Sequence, residues 1–124
     1  MKILSNKPQH LIQGENAEEN ALQFLLKQGL SAVCRNYRCK QGEIDLIMWH
    51  GTALVIVEVR YRKNAKYGSA LETVTVKKQS RIIAATCHYL KANKLTNQAI
   101  RFDVVAITGD DNLSWVQNAF QASF

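Results

Sequence analysis

An unbroken apolar run, Ala53-Leu54-Val55-Ile56-Val57, leads directly into a glutamate, Glu58. Consecutive apolar residues with many β-branched side chains belong to a strand covered on both faces. A chain with such a strand must supply neighbouring strands and a covering layer on each side. Before the run stand Gly51-Thr52, and before those a second strand-like segment, Glu43 to His50. A tight turn with glycine first joins the two as a hairpin. If Gly51 and Thr52 are the central turn residues, Asp45 lies directly across from Glu58 and Glu43 across from Arg60.

The covering layers are two helices. Asn16 to Gln28 is expected to be helical, with Ala17, Ala21, Phe24, Leu25 and Gln28 on one face and Gly29 as the stop. Glu15, Glu18 and Glu19 fall in its first turn, where the helix dipole favours acids. A second helix runs from about Val76 to Lys91, capped by Thr75, with Ile83, Cys87 and Leu90 as its apolar stripe. Leu30 to Tyr37 is the first strand, with a basic loop after it. Arg101 to Thr108 is the fourth strand and Leu113 to Ala119 a last, edge strand after a turn over 109–112. A loop with Gly68 fills residues 63–74. The order α-β-β-β-α-β-β makes the fold class α/β, a mixed β-sheet flanked by helices. At 124 residues this is one domain, read as 14–124 behind a polar, irregular arm over 1–13.

Three cysteines, an odd number, and no secretory leader point to reduced thiols and a cytoplasmic protein. No apolar run reaches the ~18 residues of a membrane span. Cys34 and Cys39 with Cys87-His88 lack the spacing of a zinc knuckle and are read as small buried hydrophobes. His10, His50 and His88 form no set with a nucleophile, and His50, at the hairpin turn, is expected to be exposed.

Charge is concentrated in the middle of the chain. Residues 35–94 hold 12 of the 16 Lys and Arg and four of the 10 Asp and Glu. Such a field suits an anionic partner. Inside it, Asp45 and Glu58 would face each other with Cβ atoms about 5 Å apart. A carboxylate in a buried strand is costly unless paired or metal-bound. Two of them repel, and a divalent cation turns that repulsion into attraction. Mg²⁺ takes one or two protein carboxylates and keeps sites for water and phosphate oxygens. The alternative is an ion pair at the sheet margin, Glu58 with Arg60, Arg62 or Arg35. Lys77 and Lys78 stand in the first turn of the second helix, where they oppose the dipole unless a phosphate joins them. Gln79 and Arg81 continue that polar face, and Lys40, Arg62 and Lys63 add to the basic rim; the alternative is an ordinary solvated surface. Tyr37, Tyr61 and Tyr67 lie among these bases as stacking platforms or as core, and Trp49 and Trp115 as core.

Glu18, Gly42-Glu43-Ile44-Asp45, Val57-Glu58-Val59-Arg60 with Arg62, Lys78-Gln79 and Arg101-Phe102-Asp103 occur in this order. Together they resemble the uncharacterised bacterial YraN-like family over roughly residues 14–120. That family is similar to the archaeal Holliday-junction resolvases and the wider restriction-endonuclease-like PD-(D/E)xK nucleases. The resemblance implies a restriction-endonuclease-like fold and a Mg²⁺- or Mn²⁺-dependent DNA endonuclease of resolvase type. It makes Asp45 and Glu58 the metal ligands, with Glu18 completing the site and Arg60 beside them in the catalytic set. Lys40, Arg62, Lys63, Lys77, Lys78, Gln79 and Arg81 would contact nucleic acid, with Gln79 matching a family position close to the active-site phosphate. By analogy with the resolvases, the assembly would be a homodimer. One position departs from the motif, which has lysine two residues after Glu58. Arg60 stays protonated and cannot act as a base, though it can hold a phosphate oxygen. A chain that has lost its chemistry there would remain a non-catalytic nucleic-acid-binding module, and a third role is adaptor to an acidic protein.

Overall fold

The computed structural model describes residues 9–63, 74–109 and 112–122, with side chains from residue 16 onward. Seven elements follow one another: α1 (Gln9–Lys27), β1 (Ser31–Cys39), β2 (Gly42–His50), β3 (Ala53–Arg62), α2 (Val76–Ala92), β4 (Ile100–Thr108) and β5 (Leu113–Phe120). This is the expected α/β order. One five-stranded sheet holds the strands in the sequence β1-β2-β3-β4-β5. β3 and β4 are parallel and the other neighbours antiparallel, so the sheet is mixed.

The apolar run takes the central strand position. Leu54, Val55, Ile56 and Val57 are all essentially inaccessible to solvent. Their side chains alternate between two cores. Val55 and Val57 join Ala17, Ala21, Leu22 and Leu25 under α1. Leu54 and Ile56 join Ile82, Ala85 and Tyr89 under α2. Each helix therefore covers one face of the sheet, which accounts for a strand with no polar side.

Local boundaries differ from expectation in four places. α1 begins at Gln9, so residues 9–13 of the expected arm are helical, while 1–8 lie outside the described residues. One glycine inside a helix, here Gly14, costs only about 1 kcal/mol and does not break it. The first turn of α1 accordingly holds no acid, and Glu18 and Glu19 owe nothing to the dipole. Gln28 is exposed beyond the last turn rather than on the inward face. The expected basic loop after β1 shrinks to a tight turn at Lys40-Gln41, because β1 continues to Cys39 opposite Gly42. The inward face of α2 is Ile82, Ala85, Thr86 and Tyr89, one residue out of step with the expected stripe. Thr86 tolerates full burial because its hydroxyl donates to the Ile82 carbonyl at 2.8 Å. Ile83 and Leu90 pack at the border of that core. Thr75 does cap the helix, its Oγ1 accepting from Lys78 N at 3.2 Å.

The expected loop is described only at its ends, and the turn before β5 only at Gly109 and Asn112; residues 64–73, with Lys66, Tyr67, Gly68 and Glu72, and residues 110–111 lie outside the described set. Among the described residues no helix is long and apolar enough to cross a membrane. Trp49 and Trp115 are half-buried, as are Tyr37 and Tyr61. Tyr37 packs edge-on to Tyr89 at 5.1 Å and bonds His88, and Tyr61 borders the α1 core, so both serve as core margin. The three cysteines are free and half-buried.

His50 is half-buried rather than exposed. Its Nδ1 meets Arg101 Nη2 at 2.9 Å, within a network built on Asp103. Asp103 is fully buried. Its Oδ1 accepts from Arg101 Nε and from Asn118 N, and its Oδ2 from Arg101 Nη2 and Trp115 Nε1, at 2.9–3.0 Å. The network sits where the β4–β5 register slips between Phe102 and Val104 and Asn118 adopts φ 54°.

Candidate active site

The hairpin register is the one its turn dictates. Gly51 has φ 63°, and Leu46 pairs with Val57 through His50 with Ala53. Extrapolated one step, this ladder would bring Asp45 opposite Glu58. The pairing stops before that step. Residues two apart in a regular strand share a face. Ile44 nevertheless belongs to the α2 core and Leu46 to the α1 core, so β2 rotates at Asp45. The position of β1 between Arg35, opposite Leu46, and Tyr37, opposite Ile44, is Asn36, and it has φ 53°. Asparagine tolerates this left-handed backbone better than most residues. Both strands therefore turn together at one point.

The rotation frees the Asp45 side chain to do what a backbone carbonyl would otherwise do. Its Oδ2 accepts from the Val59 N–H of β3 at 2.8 Å. Glu43 is consequently not opposite Arg60, as the extended register required. It pairs with Arg38 across the β1–β2 turn at 3.2 Å. Beyond Val57, β3 stays bonded to β4, with Glu58 beside Val104 and Arg60 beside Ala106.

Asp45 and Glu58 lie close enough that each acts on the other's charge. Two carboxyls so placed disfavour each other's ionisation. Burial first, and then the Asp45 charge, push the Glu58 pKa up to about 7 from its ordinary 4.5. Burial also raises Asp45, against the pull of the Val59 N–H. Two cations meet the same Glu58 oxygen. Lys78 Nζ lies 3.3 Å from Oε2 and Arg60 Nη1 lies 3.5 Å from it. Lys78 also acts on Asp45. Glu58 is therefore paired with Arg60, as the marginal ion-pair reading allowed, but also with a lysine delivered by α2, which that reading did not include.

Glu18 is half-buried on α1. Its pKa is raised by burial and then by the charge of Asp45, and Asn36 and Arg35 oppose the rise. It thus stands within electrostatic reach of the pair. Among the described residues, no three Asp, Glu, His or Cys side chains are gathered into a ready-made metal-binding set. The donor chemistry still suits a hard cation. Asp45 and Glu58 offer two carboxylates close together, and Mg²⁺ or Mn²⁺ uses few protein ligands.

A cleft of about 490 Å³ is connected to this pair through Lys78, which lines it and touches Glu58; neither carboxyl lines it. The β1–β2 hairpin forms one wall and the start of α2 the other. Lys77, Lys78 and Arg81 line it, while Lys40, Arg62 and Lys63 are exposed outside it. Gln79 is half-buried, and its Nε2 donates to the Val74 carbonyl at 3.0 Å, holding the segment that enters α2. Sequence reasoning missed two participants, Asn36 and the role of Lys78 at Glu58. The signal for the first was an asparagine interrupting a strand of half-buried Cys34, Tyr37 and Cys39. For the second it was two lysines in a first turn without any acid.

The Glu58 shift fixes the sign of a pH effect. Between pH ~4.5 and ~7 the unfolded chain loses this proton and the folded chain keeps it. The native state binds more protons, so stability falls as pH rises through the window and levels off above it. Native protein should lose about 2–3 kcal/mol from this group between pH 5 and 8. Glu58→Gln, neutral throughout, should flatten that part of the profile and be the more stable protein at pH 8. Denaturant titrations of both proteins across the range check this. Parallel profiles would show that Glu58 titrates in its ordinary range.

The chain was compared with known proteins. A model described as "Uncharacterised protein family UPF0102" matches residues 17–107. A UPF0102 protein of Saccharophagus degradans is 54% identical over 108 residues, covering 86% of this chain and 91% of the relative. Others from Nitrosococcus oceani and Pseudomonas fluorescens are 46% and 44% identical, over 90% and 91% of this chain and 94% and 96% of their own.

Proposed function

The chain belongs to the UPF0102 family, and from that premise we propose that its Asp45–Glu58 pair is the centre of a Mg²⁺- or Mn²⁺-dependent DNA endonuclease of the Holliday-junction-resolvase type. The observation that carries the reading is two adjacent carboxyls with the Lys78 ammonium 3.3 Å from Glu58, at the end of a buried hairpin and beside a basic cleft. Asp45 and Glu58 would hold the ion, with Glu18 near enough to bias its charge. The ion's chemistry there is that of a Lewis acid towards water and phosphate oxygen.

The chain's own groups supply the rest. Arg60 offers donors to a phosphate oxygen. Lys78 supplies the compact ammonium that the motif expects from the position of Arg60, so the departure at Arg60 does not leave the site without a lysine. Val59 N–H fixes the Asp45 carboxylate without using up its second oxygen. Arg35 and Asn36 favour the ionised form of Glu18.

The test is cleavage of duplex, single-stranded and four-way-junction DNA with Mg²⁺ or Mn²⁺. Metal-dependent nicking lost in Asp45→Asn supports the reading, and its absence on all three substrates sinks it. One observation favours a second reading, a non-catalytic nucleic-acid-binding module: Lys78 and Arg60 already neutralise Glu58. Both readings need phosphate contacts. The four bases of the cleft, Arg38, Lys77, Lys78 and Arg81, should give a log–log salt dependence of binding with a slope of about −4. Fluorescence titrations from low to physiological salt measure it. A flat response removes both readings and leaves the adaptor role.

A further inference from the structure

We infer that the cleft beside the Asp45–Glu58 pair is a seat for one unstacked nucleotide, its phosphate at the start of α2 and its sugar and base against the apolar side chains. This rests on the phosphodiesterase reading of the neighbouring carboxylates and adds what that centre takes hold of.

Size is the first argument. A volume of about 490 Å³ lies in the ~300–1,000 Å³ range of pockets that enclose a small organic ligand. A bare phosphate leaves most of it unused, and a stacked duplex cannot enter it. Charge is the second. Arg38, Lys77, Lys78 and Arg81 line the cleft against one acid, Glu43. Arg38 is engaged by Glu43 and Lys78 by Glu58. Lys77 and Arg81 have no acidic partner among the described residues. They flank the first turn of a 17-residue helix whose N-cap, Thr75, accepts from Lys78 N through its side chain and from Gln79 N through its carbonyl. A cationic first turn is unfavourable alone and favourable with an anion on it.

Apolar surface is the third argument. Ile82, buried, and Cys39, half-buried, are the apolar side chains in its lining. A lining of cations with apolar side chains among them suits a ligand that carries both a charged group and a flat apolar one. Rigidity is the fourth. A Cβ at Gly42 would lie 2.5 Å from the Arg81 carbonyl oxygen, so hairpin and helix touch backbone to backbone at the cleft's end. The cleft's walls are thereby held at one spacing. Lys78 belongs to both places, lining the cleft and touching Glu58, which puts the seat next to the centre of cleavage.

The probe is thymidine 5′-monophosphate, titrated by calorimetry and by amide chemical shifts into the full chain, in chelator and without divalent ions. Inorganic phosphate and thymidine are run beside it. The nucleotide should bind at least about tenfold tighter than either fragment, with shifts centred on Gly42, Lys77 and Arg81. Arg81→Ala, an exposed side chain outside the core, should weaken it about tenfold, one charge-assisted contact. Nucleotide binding no tighter than phosphate, or unmoved by Arg81→Ala, overturns the seat. Because no cleavage is read, the two ideas fail separately. Binding without any metal-dependent nicking supports the seat in a non-catalytic protein. Nicking without nucleotide binding overturns the seat and leaves the centre standing.

Discussion

Lys78→Ala should lower metal-dependent cleavage about 10²–10³-fold in single turnover at saturating DNA, the loss typical of removing one preorganised charge donor. Arg60→Ala should cost about tenfold, although its guanidinium meets the same Glu58 oxygen. The difference follows from position and shape. Lys78 acts on both carboxyls and comes from α2, whereas Arg60 lies on the same strand as Glu58. A compact ammonium can serve a carboxylate and a water at one point, and a planar guanidinium spreads its donors. Lys78→Arg therefore should not restore the rate, even with charge conserved. Saturating DNA separates this from the contribution of Lys78 to binding. A loss in Lys78→Ala smaller than that in Arg60→Ala would return the lysine to the role of a phosphate contact and make Arg60 the adapted residue.

Asp103→Ala should destabilise the fold by about 3–5 kcal/mol, lowering Tm by roughly 10–20 °C. The aspartate is the acceptor for Arg101, Trp115 and the Asn118 amide, and its own carboxylate is fully buried. Removing it leaves the Arg101 guanidinium mostly buried, with the His50 ring as its other side-chain partner among the described residues. Asp103→Asn keeps the shape and part of the acceptance and should cost about 1–3 kcal/mol. Thermal and chemical denaturation of the three proteins give the order. A loss in Asp103→Ala below about 1 kcal/mol would mean that solvent reaches the network in solution. This aspartate was visible in sequence only as part of the Arg101-Phe102-Asp103 segment, with no role attached to it.

What was legible was the part governed by neighbours in the chain. Gly51-Thr52 and the run after it set the hairpin register, and the same run required cover on both faces. Thr75 marked the start of α2. Less legible was the rotation of α2, because a stripe of Ile83, Cys87 and Leu90 is as apolar as the true one. Only the Thr86 hydroxyl bonding back to Ile82 makes the observed face possible. The site followed the same rule. The carboxyls were placed together by hairpin arithmetic, but their approach depends on a strand rotation at Asp45 and Asn36 that alternation cannot express. Lys78 reached Glu58 by packing across twenty residues of intervening chain, which no local pattern encodes.

That delivery from a separate element has a kinetic consequence. The carboxyls come from a hairpin whose contacts are short in sequence, and such local structure forms early. The ammonium arrives only when α2 docks on the far side of the sheet, a contact of long loop closure. A chain emerging from synthesis would therefore carry the acids before it carries the counterion. Until α2 docks, the two carboxyls would stand together without the lysine that faces them in the finished fold.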